Sequence, residues 1–427
     1  MFAVRSLSAA VVALLLSVVL MQAANGLFGS LLGVRLGQDA GISSQVAGLV
    51  MSGYFVGMVL GCLGCGRIIE RVGHVRAFAA LISIISATAV AHAFLVEPVY
   101  WFVLRAVFGF CMAGAYMVAE SWLNGATGND QRGSLLSIYM VLQYSALGGG
   151  QFLLNLSPPS SFVLYGFVSI LFSLSLVPLT LSRSAGSGEV SPSALSFRKL
   201  YRISPLGVVG SFGSGVIAGA IFGTGSVFAV AIGFDVSEVA IFLSASIIGG
   251  LLVQWPLGKA SDLFDRRTVI AIAFFVTTVF GVLLAFLPFP GFWPYIALAT
   301  AYGGIGVSLY SLAVAHANDY IDPADLVPAS AGLLLAFGIG AVIGPIASTT
   351  AMDTLGHWGF YGFGALVSAL VGCFALWRMT QRRAVPMDEQ GPWVAVSRTS
   401  PMAAELDPRW DPEVEDGGDN AEQAAHT

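Results

Sequence analysis

Polar side chains inside otherwise apolar stretches are the residues of this sequence that could do chemistry. Arg105 lies within the apolar run from Tyr100 to Trp122, where insertion scales assign an arginine a cost of roughly 2.5 to 3.5 kcal/mol. Helical spacing places Gly109, Tyr116 and Glu120 on the same face as Arg105. An arginine in this position binds an anionic group, takes part in proton coupling, or is a structural residue that pairs or snorkels.

A few polar side chains in other apolar runs could complete a binding site. Gln22 and Asn25 are three residues apart and therefore share a helix face. Such side chains also satisfy one another between helices, and this structural alternative stays open for each of them. The predicted substrate-binding residues are Gln22, Asn25, Arg105, Tyr116, Gln143 and Tyr310.

Carboxylates, which a proton-driven antiporter needs within the membrane, are scarce in these runs. No Asp or Glu lies in the middle of an apolar stretch, and the nearest candidate is Glu120. Glu120 lies about 22 Å along a helix from Arg105, so these two side chains cannot pair. Protons remain one candidate coupling ion. The sequence contains no nucleophile-elbow, zinc-protease, P-loop or dinucleotide motif, so we expect neither an enzyme nor a cofactor or metal.

Composition sets the class of protein. The chain has 427 residues, of which 56% are hydrophobic and only 10% charged, and this exceeds the apolar content of soluble domains. The net charge of −5 comes from the acidic segment after Pro386, and nothing in it indicates a nucleic-acid partner. We therefore expect an all-α polytopic membrane protein whose partners are the lipid bilayer and a small molecule.

Twelve apolar stretches have the length of about 20 residues that spans a bilayer. The first is longer than the apolar core of a secretory signal, so we interpret it as a span. The predicted spans are about 7–32, 43–66, 77–96, 100–122, 133–156, 162–181, 203–232, 236–258, 268–287, 292–316, 326–351 and 358–379.

A stretch rich in Ser, Gly and Pro divides the spans into two sets of six, and its composition is that of a flexible linker. The acidic end of the chain has too little apolar surface to offset chain entropy. The predicted domains are a six-helix bundle (1–182), a cytoplasmic linker (183–202), a second six-helix bundle (203–380) and a disordered acidic cytoplasmic tail (381–427).

Basic residues sort to one side of these spans and set the orientation. If the amino terminus is inside, all of them lie inside except Arg35, which is outside, and Arg105, which is within the membrane. Lys and Arg favour cytoplasmic loops. Both termini are therefore expected in the cytoplasm.

A charged turn follows the second span. Gly66 is followed four residues later by Glu70, and Arg71, Gly73 and Arg76 complete the turn before apolar sequence resumes. This pattern resembles motif A of the major facilitator superfamily, with Glu70 where the family usually has Asp.

A second, less complete copy of the same turn follows the eighth span. It contains Gly258, Asp262, Arg266 and Arg267. Within the superfamily, the sequence of residues 120–124 (Glu-Ser-Trp-Leu-Asn) is most similar to that of the YcaD-like transporters.

The resemblance implies twelve transmembrane helices in two pseudo-symmetric six-helix bundles, with a central cavity at the interface of the repeats. It also implies a charge network that holds the inner gate closed, and a monomer in the bacterial inner membrane. The gating residues expected from it are Gly66, Glu70, Arg71, Gly73, Arg76, Glu120, Arg132, Gly258, Asp262, Arg266 and Arg267. An alternative role for these charges is topology alone.

The resulting hypothesis is a secondary active transporter that moves a small molecule by rocking around a central site, with proton-coupled efflux as one form. The alternative from another class is a transport-inactive membrane scaffold or sensor with the same fold. The substrate and the direction of transport are not encoded in any motif of the sequence.

Overall fold

The computed structural model describes residues 8–39, 41–125, 132–181, 196–289, 291–322, 325–387 and 389–406. Thirteen α-helices occupy most of them, and twelve of these are long. The helices are α1 (Ala9–Gly37), α2 (Ser44–Val72), α3 (His74–Ala91), α4 (Pro98–Gly125), α5 (Arg132–Gln151), α6 (Phe162–Leu181), α7 (Phe197–Ile203), α8 (Pro205–Ala231), α9 (Val236–Leu263), α10 (Arg266–Phe286), α11 (Phe292–Asn318), α12 (Leu326–Leu355) and α13 (Trp358–Gln381), with short 3-10 helices at Phe152–Leu156 and Pro401–Leu406.

Local signals set several helix ends. Ser43 accepts a hydrogen bond from the Val46 amide at the start of α2, and Asp235 forms a capping box with Glu238 at the start of α9. The break between α2 and α3 is at Gly73, whose φ of 84° is a backbone conformation that favours glycine. The sharp charged turn predicted after the second span is therefore present.

Length and composition suit these helices to a bilayer. Eleven helices among the described residues qualify as membrane spans. The remaining long helix, α5, has 20 residues but is more polar, with Gln143 and Gln151 among them. It packs between α1 and α9, so it occupies the place of a span and completes the predicted set of twelve.

The helix pairs repeat between the two halves of the chain. In the first half α1 packs on α5, α2 on α4, and α3 on α6; in the second half α8 packs on α12, α9 on α11, and α10 on α13. The halves meet through α2 with α12, α5 with α9, and α1 with α8. When the two halves are exchanged, the contact of α2 with α12 becomes the contact of α9 with α5, and the contact of α1 with α8 maps onto itself. The pseudo-symmetric two-bundle fold is therefore confirmed.

Close contact between α2 and α4 depends on small residues. A β-carbon at Gly57 would meet backbone atoms of Ala106 and Phe110, and one at Gly53 would lie 2.7 Å from the Phe102 carbonyl oxygen. Gly57 and Gly53 are four residues apart and face α4, so the two backbones touch along this stripe.

The segment after α13 corrects one prediction. We expected disorder from residue 381 onward, yet residues 389–406 make specific contacts with both halves. Val396 is buried, and Met402 is completely buried. The acidic composition was misleading because the acids cluster beyond this stretch, whereas Trp393, Val394, Val396 and Met402 supply apolar surface. Residues 407–427 lie outside the described residues, as do residue 182 and residues 183–195 of the predicted linker.

Candidate functional site

A cavity of about 250 Å³ lies between the two halves. Both halves line it, through α1, α2, α4 and α5 on one side and α8, α9 and α12 on the other. Its polar side chains include Gln22, Asn25, Arg105, Tyr116 and Gln143. These are five of the six residues predicted to bind substrate, and the fold therefore brings them together around one space.

Arg105 is the most unusual of these side chains. It is buried, and its Cζ lies 4.8 Å from the centre of the Tyr54 ring. Its Nε has no hydrogen-bond partner, and no carboxylate among the described residues forms an ion pair with it. A buried guanidinium held mainly by aromatic rings is available to an anionic group in the cavity.

A hydrogen-bonded group of amides and phenols surrounds Arg105. The Tyr116 hydroxyl donates to Gln22 Oε1 at 2.5 Å, and the Asn25 side chain lies close to the hydroxyl groups of Tyr54 and Tyr116. Because each group is braced by another, the polar lining is held in place before a ligand arrives.

Tyr310, the sixth predicted binding residue, does not line the cavity. Its ring lies 5.0 Å from that of Phe337 and is buried behind it. Sequence symmetry placed Tyr310 correctly along its helix, but the bulk of Phe337 separates it from the open space. Its predicted role is corrected from a contact residue to a packing residue.

The two ends of the cavity differ. We call the end with the charged turns Gly66–Arg76 and Gly258–Arg267 the motif end, and the opposite end the far end. At the far end the halves touch directly. The Gln45 backbone N–H donates to Asp353 Oδ2 at 2.8 Å, and Ser237 Oγ donates to Asn155 Oδ1 at 2.9 Å.

At the motif end the halves are separated by the carboxy-terminal segment, which we define as residues 391–403. Arg266 Nη2 donates to the Gly391 carbonyl at 2.8 Å, and the Trp393 amide donates to Asp262 Oδ1 at 2.8 Å. The Trp393 indole packs directly on Gly258, where a β-carbon would collide with it. The beginning of the segment is thus docked on the second half.

The same segment then crosses to the first half. Thr399 and Ser400 both donate hydrogen bonds from their hydroxyl groups to the Glu120 carboxylate. The Tyr139 hydroxyl donates to Glu120 Oε1 at 3.0 Å. Glu120 is completely buried, so these donors replace the water that the carboxylate loses.

The predicted gate residues divide into two groups. In the second copy, Arg266 is buried and donates to Asp319 at 2.6 and 2.7 Å and to Asp262 at 3.2 Å. Arg267 pairs with Asp265 at 3.1 Å. The copy that matched the family pattern less well therefore carries the formed charge network.

The first copy gives the opposite result. Glu70, Arg71 and Arg76 are exposed, and the described residues contain no ion pair involving any of them. Glu120 bonds to the carboxy-terminal segment instead of joining them. Among the described residues the expected network of the first half is absent, because the charged side chains of α2 and α3 face outward. The Arg132 side chain lies outside the described residues.

Three residues important to the site were not predicted from the sequence. Phe222 and Phe337 line the cavity from α8 and α12, and Arg398 enters it from the carboxy-terminal segment. Apolar helices contain many phenylalanines, so no spacing singled these two out. Arg398 was a usable signal, since it is one of only two basic residues in the acidic segment after Pro386.

Comparison with known proteins gives concordant findings. The family model described as Major Facilitator Superfamily matches residues 14–251 and 208–404. The uncharacterized MFS-type transporter YcaD of Escherichia coli O17:K52:H18 is 29% identical over 80% of this chain and 88% of its own length. An uncharacterized MFS-type transporter of Enterobacter sp. (strain 638) is 28% identical over 70% of this chain and 77% of its own length.

Solved structures show the same fold. The nucleoside transporter NupG superposes with a TM-score of 0.75 at 15% identity, covering 88% of this chain and 100% of that one. A bacterial homolog of the human lysosomal transporter Spinster, in an inward-facing and unoccupied conformation, gives a TM-score of 0.64 at 14% identity over 95% and 100% of the two chains. At these identities the likeness shows the fold alone.

Proposed function

The chain belongs to the Major Facilitator Superfamily of membrane transporters, and on that premise we propose that it is a secondary active transporter that carries a small molecule by alternating access. The two halves would rock about the central cavity so that it opens at one end and then at the other. A monomer suffices for this mechanism because one chain supplies both halves.

The observation that carries the proposal is the asymmetry of the cavity ends. Helices of the two halves touch at the far end, whereas at the motif end a separate segment of chain fills the space between Glu120 and Asp262. Without that segment the cavity would open at the motif end. With the segment withdrawn, the arrangement would be closed at one end and open at the other, which is one of the two states that alternating access requires.

We place the motif end in the cytoplasm of a bacterial cell, with the protein in the inner membrane. Arg67, Arg71, Arg76 and Lys259 lie at this end of α2, α3 and α9. Cytoplasmic loops carry such an excess of basic residues. The state described here is then closed to the outside, and the carboxy-terminal segment enters from the cytoplasm.

The separated charges of the first copy fit this assignment. Glu70, Arg71 and Arg76 would come together only when the motif end closes, and opening it would break their contacts. Exposed pairs contribute about 0 to 1 kcal/mol each, which is weak enough to exchange in every cycle. Proton coupling would involve Glu120, the buried carboxylate nearest to the cavity.

Flux through reconstituted protein tests the proposal. Liposomes that contain the purified full chain are loaded with a bacterial metabolite extract, and solute loss is followed by mass spectrometry with and without a proton gradient. We expect selective loss of one or a few solutes, absent from empty liposomes. Retention of every solute under both conditions would favour the scaffold or sensor alternative.

A further inference from the structure

The carboxy-terminal segment places one cationic group inside the cavity. The Arg398 guanidinium carbon lies 5.5 Å from the Phe222 ring centre, 5.6 Å from Phe337 and 5.9 Å from Tyr144. All three distances fall within the range of about 6 Å for cation–π attraction. We call these three rings the aromatic cage.

The aromatic cage binds its cation mainly through ring faces. Arg398 Nη2 donates to the Tyr144 hydroxyl at 3.0 Å, while the buried Nη1 has no hydrogen-bond partner. Because one guanidinium nitrogen has no hydrogen-bond partner, the site does not require all the N–H donors of an arginine. Its three rings suit any small cationic head that is weakly hydrated, such as a guanidinium or an alkylated ammonium.

The cage is also shared between the halves. Tyr144 comes from α5 in the first half, whereas Phe222 and Phe337 come from α8 and α12 in the second half. A cation held by all three rings therefore contacts both bundles at once. Movement of the halves would take the cage apart, which is the property expected of a site that changes affinity during transport.

Electrostatics narrows the class of ligand. The same cavity contains Arg105, which has no ion-pair partner among the described residues, so a bare cation in the cage would share the space with an unneutralised guanidinium. A ligand that carries a carboxylate beside its cationic head would bring compensating negative charge into the cavity that Arg105 lines. The cavity chemistry thus favours a small zwitterion.

We propose that the aromatic cage is the subsite for the cationic head of a small zwitterionic substrate, and that Arg398 occupies this subsite as a tethered competitor. Calling the ligand a substrate rests on the proposed transport function. The binding of the ligand to the cage can be tested without measuring flux. Tethering gives Arg398 a high effective concentration. A free ligand should therefore bind weakly to the full chain and more tightly when Arg398 is removed.

Equilibrium binding of guanidinoacetate, measured calorimetrically on purified full-length protein, tests the competition. We expect Arg398→Ala to bind it at least about tenfold more tightly than the parent, and Arg398→Lys, whose tethered ammonium is more strongly hydrated than a guanidinium, to have an affinity between the two. Equal affinity of the parent and Arg398→Ala, or no binding to either, would overturn the proposal.

Two further comparisons test the chemistry of the subsite. In the Arg398→Ala background, Phe222→Leu should weaken guanidinoacetate binding about tenfold, because a desolvated ring contact is lost while bulk is retained. Tyr144→Leu provides a second ring removal should Phe222→Leu unfold. Methylguanidinium, which lacks the carboxylate, should bind more weakly than guanidinoacetate. Unchanged binding after ring removal, or equal affinity for both probes, would contradict the assignment.

Discussion

Replacing Arg266 with Met should destabilise the protein more than any other single charge removal at the motif end. The Arg266 side chain is buried and donates to the Ala315 and Gly391 carbonyls and to the carboxylates of Asp319 and Asp262. Asp319 has a side-chain exposure of only 2%. Removal of one partner from a buried, hydrogen-bonded ion pair costs about 3 to 5 kcal/mol.

A matched control separates this effect from general charge loss. Lys199 pairs with Asp325 at 2.9 Å, but the two side chains are 54% and 34% exposed, so Lys199→Met should cost only about 0 to 1 kcal/mol. The free energy of unfolding is measured for each variant in mixed detergent micelles by tryptophan fluorescence. Equal losses for Arg266→Met and Lys199→Met would refute the reasoning that burial makes the Arg266 network strong.

Three further outcomes are expected. Arg105→Lys should impair solute flux in liposomes at normal expression, because an ammonium cannot reproduce the planar donor fork; unchanged flux would mark Arg105 as structural. Glu70→Gln should raise the population open at the motif end, seen as faster thiol labelling of Val59→Cys in the cavity; equal labelling rates would leave Glu70 with a topological role only. Gly57→Val should lower the melting temperature, because its side chain would meet the backbone of α4, whereas Gly64→Val on the same helix should not; matched melting temperatures would contradict the close-packing account.

Much of the fold was predictable because lipid leaves few options. A bilayer requires helices of about 20 apolar residues, and positive charge sets their direction. Intramembrane polar residues are costly, so Gln22, Asn25 and Arg105 could be assigned to one cavity before their helices were placed. These predictions depend on composition and on helical spacing, which the sequence displays directly.

The missed features depend on contacts between distant parts of the chain. Nothing near residue 398 predicts that its side chain lies among rings from α5, α8 and α12. Trp393 packs on Gly258, which is 135 positions away along the chain. Trp393 also donates a hydrogen bond to Asp262, which is 131 positions away. Motif similarity also could not show which copy of the charged turn forms its network, because that depends on the conformation.

Pulsed electron–electron double resonance on doubly spin-labelled protein in lipid nanodiscs tests most directly whether the cavity opens alternately at its two ends. One pair of labels at Val72 and Phe264 reports on the motif end, and another at Leu95 and Phe289 reports on the far end; all four positions are exposed. With the chain shortened after Gln390, each pair should show two distances. The motif-end distance should shorten in the population whose far-end distance lengthens. A single unchanged distance at both ends would contradict alternating access.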